Sequence, residues 1–260
     1  MLPVNAASAR LAAGDLALGL GVRFARTVDI AKIARVAGYD WLFIDLEHGS
    51  MSLDTACQIA NAANDAGIAP LVRVPKGENG LATRALDNGA MGIIVPHVDT
   101  AEEAAEMVRM FRLPPAGRRS IGPMGSQIAY APLPLADAAA AVERNVMLVA
   151  MLETPAGIEN AAAIAAVPGI DVLLIGANDL AAEHDILGQL GHGLIGSAID
   201  STVAACRAAG KAAGFGGVYD EGLMARYIAS GATFVLAGND MSFIQRGAAE
   251  RAANVRAMRR

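Results

Sequence analysis

The residues able to do chemistry stand where apolar runs stop. The run Trp41-Leu42-Phe43-Ile44 breaks into Asp45, Glu47 and His48, Val146 to Leu152 ends on Glu153, and Asp171 to Ile175 runs through Gly176, Ala177 and Asn178 to Asp179. Arg73 interrupts a stretch otherwise made of Ala, Pro, Leu and Val. Glu153 and Asp179 follow neighbouring runs, so two carboxylates could share one hard divalent cation and leave positions for water and a chelating substrate. Each could instead cap a helix. The Arg73 guanidinium must leave a buried run and find an anion, either a substrate oxygen or a structural partner such as Asp45. His48 could relay protons near neutral pH, or be a loop histidine satisfied by its neighbours.

The elements that must position these groups are short apolar runs alternating with helical stretches. Strands are expected at Leu16–Gly21, Trp41–Leu46, Ala69–Val74, Gly92–Pro96, Val146–Leu152, Asp171–Ile175, Ala212–Phe215 and Thr233–Leu236, with helices between them and a last helix over Met241–Met258. Eight such units fit a closed (β/α)8 barrel better than an open sheet, and residues 1–260 read as one domain. No G-x-G-x-x-G follows the first strand, so a dinucleotide fold has little support. In a parallel barrel the loops converge at the C-terminal strand ends, which is where the residues above fall. The connection from Leu113 to Pro134 carries Arg119 and Ser120 and is long enough to suggest a function of its own.

Composition narrows the partners. A net charge of −5, a pI near 5.4 and the lack of a Lys/Arg cluster argue against nucleic acid and anionic membranes. Arg251, Arg256, Arg259 and Arg260 alternate with apolar residues at helical spacing and read as a solvated face. Cys57 and Cys206 have no C-x-x-C spacing and read as free thiols in a reducing compartment. Apolar runs are broken well before the ~18 residues of a membrane span, and no leader is evident, so a soluble cytoplasmic protein is expected. A Schiff-base mechanism needs a lysine in the barrel mouth. Lys32 falls in a helix, Lys76 in a loop and Lys211 before strand seven.

The motifs Asp45-x-Glu47-His48, Val72-Arg73-Val74-Pro75, Leu86-Asp87-x-Gly89-Ala90, Pro96-x-Val98-Asp99-Thr100, Glu153-Thr154 and Ile175-Gly176-x-x-Asp179-Leu180 occur in this order. Together they resemble the HpcH/HpaI aldolases through nearly the whole chain. The resemblance implies a class II aldolase that cleaves 4-hydroxy-2-oxo acids to pyruvate, or hydroxypyruvate, and an aldehyde through a metal-stabilised enolate. Oxaloacetate decarboxylation is implied as a side activity. Glu153 and Asp179 would hold Mg2+, Mn2+ or Co2+, Arg73 would bind the keto oxygen, and His48 and Asp87 would act in proton transfer. Gly176, Ala177 and Asn178 would receive the substrate carboxylate, with Asp45 and Glu47 orienting the groups that touch metal and substrate. Arg119 and Ser120 would shape the acceptor pocket from a neighbouring subunit, in a hexamer of dimers that exchange the Met241–Met258 helix. Many relatives carry Gln where this chain has Met151, and that departure bears on donor choice.

Three other readings compete. Gly214-Phe215-Gly216-Gly217 and Gly238-Asn239 follow strands seven and eight, where barrels often bind phosphate, so a phosphorylated sugar could be the substrate. A coenzyme A ester lyase of the citrate-lyase type also uses a metal and an enolate, but calls for more basic residues at the mouth. A barrel that binds a carboxylate without turnover would have no use for the metal carboxylates, His48 and Arg73 together.

Overall fold

In the computed structural model, which describes residues 2–258, eight parallel strands close on themselves in sequence order. They are β1 (Ala17–Val22), β2 (Trp41–Asp45), β3 (Ala69–Arg73), β4 (Gly92–Val95), β5 (Met147–Leu152), β6 (Val172–Gly176), β7 (Ala212–Gly216) and β8 (Phe234–Asn239). The helices are α1 (Ala6–Ala12), α2 (Asp29–Val36), α3 (Leu53–Ala66), α4 (Asn79–Asp87), α5 (Ala101–Phe111), α6 (Leu135–Asn145), α7 (Pro155–Glu159), α8 (Ala161–Ala165), α9 (Ala177–Glu183), α10 (Gly193–Ala209), α11 (Glu221–Ala229) and α12 (Asp240–Ala257). This is the (β/α)8 architecture expected from the alternation. Arg259 and Arg260 of the basic tail lie outside the described residues.

Side chains alternate between the two faces of each strand, and that parity separates two cores. Trp41, Phe43, Leu71, Ile94, Met147, Val149, Met151, Leu174, Phe234 and Leu236 fill the barrel interior. Leu42, Ile44, Val72, Ile93, Leu148, Ala150, Leu173 and Val235 face the helices instead. Near the N-terminal ends Trp41 stacks on Phe234 at 4.0 Å and donates its indole N–H to the Ala17 carbonyl. Gly19 sits under that indole, where even a methyl group would collide with the ring. The interior is thus plugged from below, and chemistry is confined to the other end.

Helix ends follow from local chemistry. Ser52 caps α3 by accepting the Thr55 N–H, and Gly67 ends that helix in a left-handed conformation. Thr100 and Thr154 cap α5 and α7 in the same way. Between β5 and β6 the chain forms two short helices, α7 and α8.

The long connection lies against the N-terminal ends of the strands. Where it leaves α5, the buried Arg112 reaches the Val146 carbonyl at 2.8 Å and the Asp171 carboxylate at 2.6 Å, just before β5 and β6. Gln127, in a short 3-10 turn, donates to the Ala90 carbonyl just before β4. Within its own chain this segment therefore does not shape the barrel mouth. Helix α12 behaves differently from the others: of its residues only Asp240 is buried, and Met241, Ile244 and Val255 are exposed.

Candidate active site

Strand parity carries inward-pointing residues one layer above the apolar plug, and there they turn polar. On β2 the inward series Trp41, Phe43 continues to Asp45; on β3 Leu71 continues to Arg73; on β5 Met151 continues to Glu153; on β6 Leu174 continues to Gly176. Asp45 and Arg73 are also direct neighbours in the parallel register.

The guanidinium of Arg73 is 2% exposed and tied on three nitrogens. Nε and Nη2 donate to the two oxygens of Asp45 at 3.0 and 2.6 Å, and Nη1 lies 2.8 Å from Glu47. Phe43 lies beneath it, 4.9 Å from ring centroid to guanidinium carbon. Asp45 also accepts the N–H groups of Glu47 and His48 and pairs with Arg23 at 3.0 Å. Burial raises the Asp45 carboxyl pKa, but the hydrogen bonds and charge of Arg73, with help from His48 and Arg23, outweigh it and hold the group below the usual carboxylate range. Arg73 does form the structural pair with Asp45, and it also lines the pocket.

Glu153 is the opposite case. It is 1% exposed; among the described residues its Oε2 accepts only the His97 N–H, at 3.2 Å, and its Oε1 is buried with no partner. Burial, then the charge of Asp179, push its pKa up to about 8, with Glu47 adding to the effect and Arg73 opposing it. Gly176 beside it has no room for a Cβ, which would run into the Glu153 carboxylate. Thr154 supplies the cap of α7, so Glu153 is not the cap, and Asp179 lies in the first turn of α9 without capping it. A buried, orphaned carboxylate oxygen that faces further negative charge suits a divalent cation. Among the described residues no cluster of three or more His, Cys, Asp or Glu stands ready for a metal, so two carboxylates would hold it and substrate or water would complete the shell.

A pocket of about 110 Å3 opens at this end, lined by Arg23, His48, Arg73, Met151, Gly176, Ala177, Asn178, Asp179, Tyr219 and Asn239 among others. His48 is mostly exposed there, 3.9 Å from Glu47. The Met151 side chain stands in the pocket floor next to Phe43 and Leu236.

Three expected residues are not brought here. Helix α4 runs back from the mouth, so Asp87 at its last turn sits near the start of β4, where Gly122 backs its carboxyl group. Arg119, buried, faces Asp87 in the same place, and Ser120 is exposed beside it. Burial raises the Asp87 pKa and Arg119 partly offsets that. Sequence reading missed two others. His97 has a left-handed backbone, with φ at 51°, and its Nδ1 is 3.6 Å from Glu153. Arg23 follows β1 at the pocket wall. Both stand just past C-terminal strand ends, and applying that rule to every strand would have found them.

The part of the phosphate reading that rests on the end of β8 loses its donors. Asn239 caps α12, and the buried Asp240 carboxylate takes the N–H groups of Arg23, Phe24, Ala25 and Met241. A fixed carboxylate there repels a phosphate.

The sequence profile described as HpcH/HpaI aldolase/citrate lyase matches residues 24–246. The chain belongs to this family. A relative from Hapsidospora irregularis, named 4-hydroxy-4-methyl-2-oxoglutarate aldolase, is 37% identical over 250 residues, covering 95% of this chain and 93% of its own. A hydroxypyruvate/pyruvate aldolase from Agrobacterium fabrum is 36% identical over 242 residues, covering 92% and 89%. The crystal structure of an HpcH/HpaI aldolase from Desulfitobacterium hafniense superimposes with a TM-score of 0.90 at 27% identity, over 95% of both chains. Within the HpcH/HpaI frame a lysine mechanism finds no support, because no lysine is among the residues lining this pocket and Lys76 is tied to Glu103 outside it. Cys206 is buried with its thiol pKa pushed up to about 12, and Cys57 is also shifted upward by burial, so neither is a ready nucleophile. No helix among the described residues is long and apolar enough to cross a membrane.

Proposed function

We propose that this HpcH/HpaI chain is a class II aldolase that cleaves a 4-hydroxy-2-oxo acid to pyruvate, or hydroxypyruvate, and an aldehyde. The observation that carries the reading is the orphaned carboxylate of Glu153, crowded by the charge of Asp179 and packed against Gly176 in the wall of the small pocket that Asp179 and Arg73 line. A divalent ion such as Mg2+, Mn2+ or Co2+, held by Glu153 and Asp179, would supply the positive charge that stabilises an enolate oxygen.

The protein's own groups do the rest. In cleavage the 4-hydroxyl gives up its proton, the electrons of the C3–C4 bond pass into the C2 carbonyl, and C3 later takes up a proton. Arg73 directs its remaining N–H groups at the C2 oxygen, and Asp45 and Glu47 fix its plane so that no reorganisation is needed as charge develops. His48, exposed at the rim of the pocket, moves the proton between C3 or the 4-hydroxyl and solvent. Gly176, Ala177 and Asn178 receive the donor carboxylate. The same enolate would follow loss of carbon dioxide from oxaloacetate, so decarboxylation is a side activity.

Asp87, Arg119 and Ser120 lie at the far end of the barrel, and they reach a mouth only if a second copy brings them there. The protruding, half-apolar α12 supports such an assembly, in which it packs on a neighbouring barrel. After exhaustive chelation the enzyme should release no pyruvate from 4-hydroxy-2-oxo acids, and Mg2+, Mn2+ or Co2+ should restore release. Activity that survives chelation would remove Glu153 and Asp179 from the role given to them.

A further inference from the structure

We propose, building on the aldolase reading, that Arg23 is a specificity-determining residue that favours substrates carrying a carboxylate on the acceptor half. The donor half is set by Arg73 after β3 and by Glu153 and Asp179 after β5 and β6. In the closed order β1 lies opposite β5, so Arg23 stands across the mouth from Glu153; with the donor carboxylate at Gly176 to Asn178 at the end of β6, the C4 end would extend toward β1 and β2. His48, after β2, and Asn239, at the end of β8, flank Arg23 in the strand order and line the same pocket.

The state of the guanidinium says what it can bind. Arg73 spends three of its nitrogens on Asp45 and Glu47, whereas Arg23 uses only Nε, against Asp45 at 3.0 Å. Among the described residues neither terminal nitrogen of Arg23 has a partner, and its side chain is 40% exposed at the pocket. Two free planar nitrogens match the two oxygens of a carboxylate, and a neutral aldehyde has no second oxygen to offer them. The residue is also held in place. The buried Asp240 carboxylate accepts the backbone N–H of Arg23 at 3.1 Å and those of Phe24 and Ala25 at 3.0 and 2.6 Å, which pins the loop that carries it. A fixed loop lowers the ordering cost of binding.

The test compares 4-hydroxy-4-methyl-2-oxoglutarate with 4-hydroxy-2-oxopentanoate, which differ by a carboxylate at C4, in the metal-loaded enzyme. The wild type should favour the dicarboxylate. In Arg23→Met the ratio of the two kcat/KM values should fall roughly ten- to hundredfold, the scale of a lost charge-assisted hydrogen-bonded pair. Arg23→Lys keeps the charge without the fork and should fall several-fold; it carries the test if the apolar variant does not fold. Any general disturbance of Asp45 strikes both substrates and cancels in the ratio. A wild type that cleaves both substrates while Arg23→Met leaves the ratio unchanged would overturn the role of Arg23 alone. A wild type that cleaves neither with any divalent ion would contradict the aldolase reading, and this inference with it.

Discussion

Replacing Glu153 by Gln should abolish divalent-ion binding and pyruvate release while making the ion-free protein more stable above neutral pH. The carboxyl titrates near 8 in the fold against 4.5 for an ordinary glutamate, because it is buried and faces Asp179 and Glu47. Between those two values the folded chain keeps a proton that the unfolded chain has released, so stability falls as pH rises. Below 4.5 both states hold the proton and there is no penalty; by pH 8 the cost reaches about 3–5 kcal/mol. A cation of charge +2 removes it by pairing with the ionised form. Chelated wild type should therefore show a melting temperature that drops from pH 5 to pH 8 and recovers with Mn2+. Glu153→Gln should show neither the drop nor the recovery. Isothermal titration with Mn2+ supplies the second readout, and Asp179→Asn should likewise weaken binding. Native-like affinity in both variants would refute the assignment.

Arg73→Ala should be damaging twice over, for separable reasons. Removing the guanidinium leaves Asp45, fully buried, without its main partner, which costs about 3–5 kcal/mol of stability. It also removes a donor aimed at the developing enolate, which should lower kcat by roughly 10^2- to 10^3-fold. The double change Arg73→Met with Asp45→Leu separates the two effects. It eliminates the stranded charge and should regain much of the stability while activity stays lost. Arg73→Lys should recover little, since an ammonium cannot meet both Asp45 oxygens and Glu47 in one plane. Thermal melts and kcat measured on the same preparations decide the matter. Activity that returned along with stability would make Arg73 purely structural.

The barrel was legible because its strands are apolar runs that break on charged residues, and parity within each run already pointed Asp45, Arg73 and Glu153 inward. Asp179 was legible by the same strand-end rule, although the rule does not show what Glu153 lacks, a partner for Oε1. Arg23 and His97 were missed for a local reason. Arg23 extends a glycine-containing first strand with no carboxylate beside it in sequence, and its partners Asp45 and Asp240 are distant along the chain. His97 follows a proline in a loop, and only its left-handed backbone turns its N–H toward Glu153. Asp87 is the reverse lesson. Its motif suggests catalysis, yet the length of α4 carries it to the other end of the barrel, a distance that spacing in sequence does not reveal.

The most direct test of the account is exchange of the pyruvate methyl protons with solvent deuterium, followed by NMR with no acceptor present. The account predicts exchange in the enzyme loaded with Mg2+, Mn2+ or Co2+, its loss on chelation, and its loss in Glu153→Gln even with excess ion. Exchange that persists in the chelated enzyme, or in Glu153→Gln, would contradict an enolate stabilised at Glu153 and Asp179.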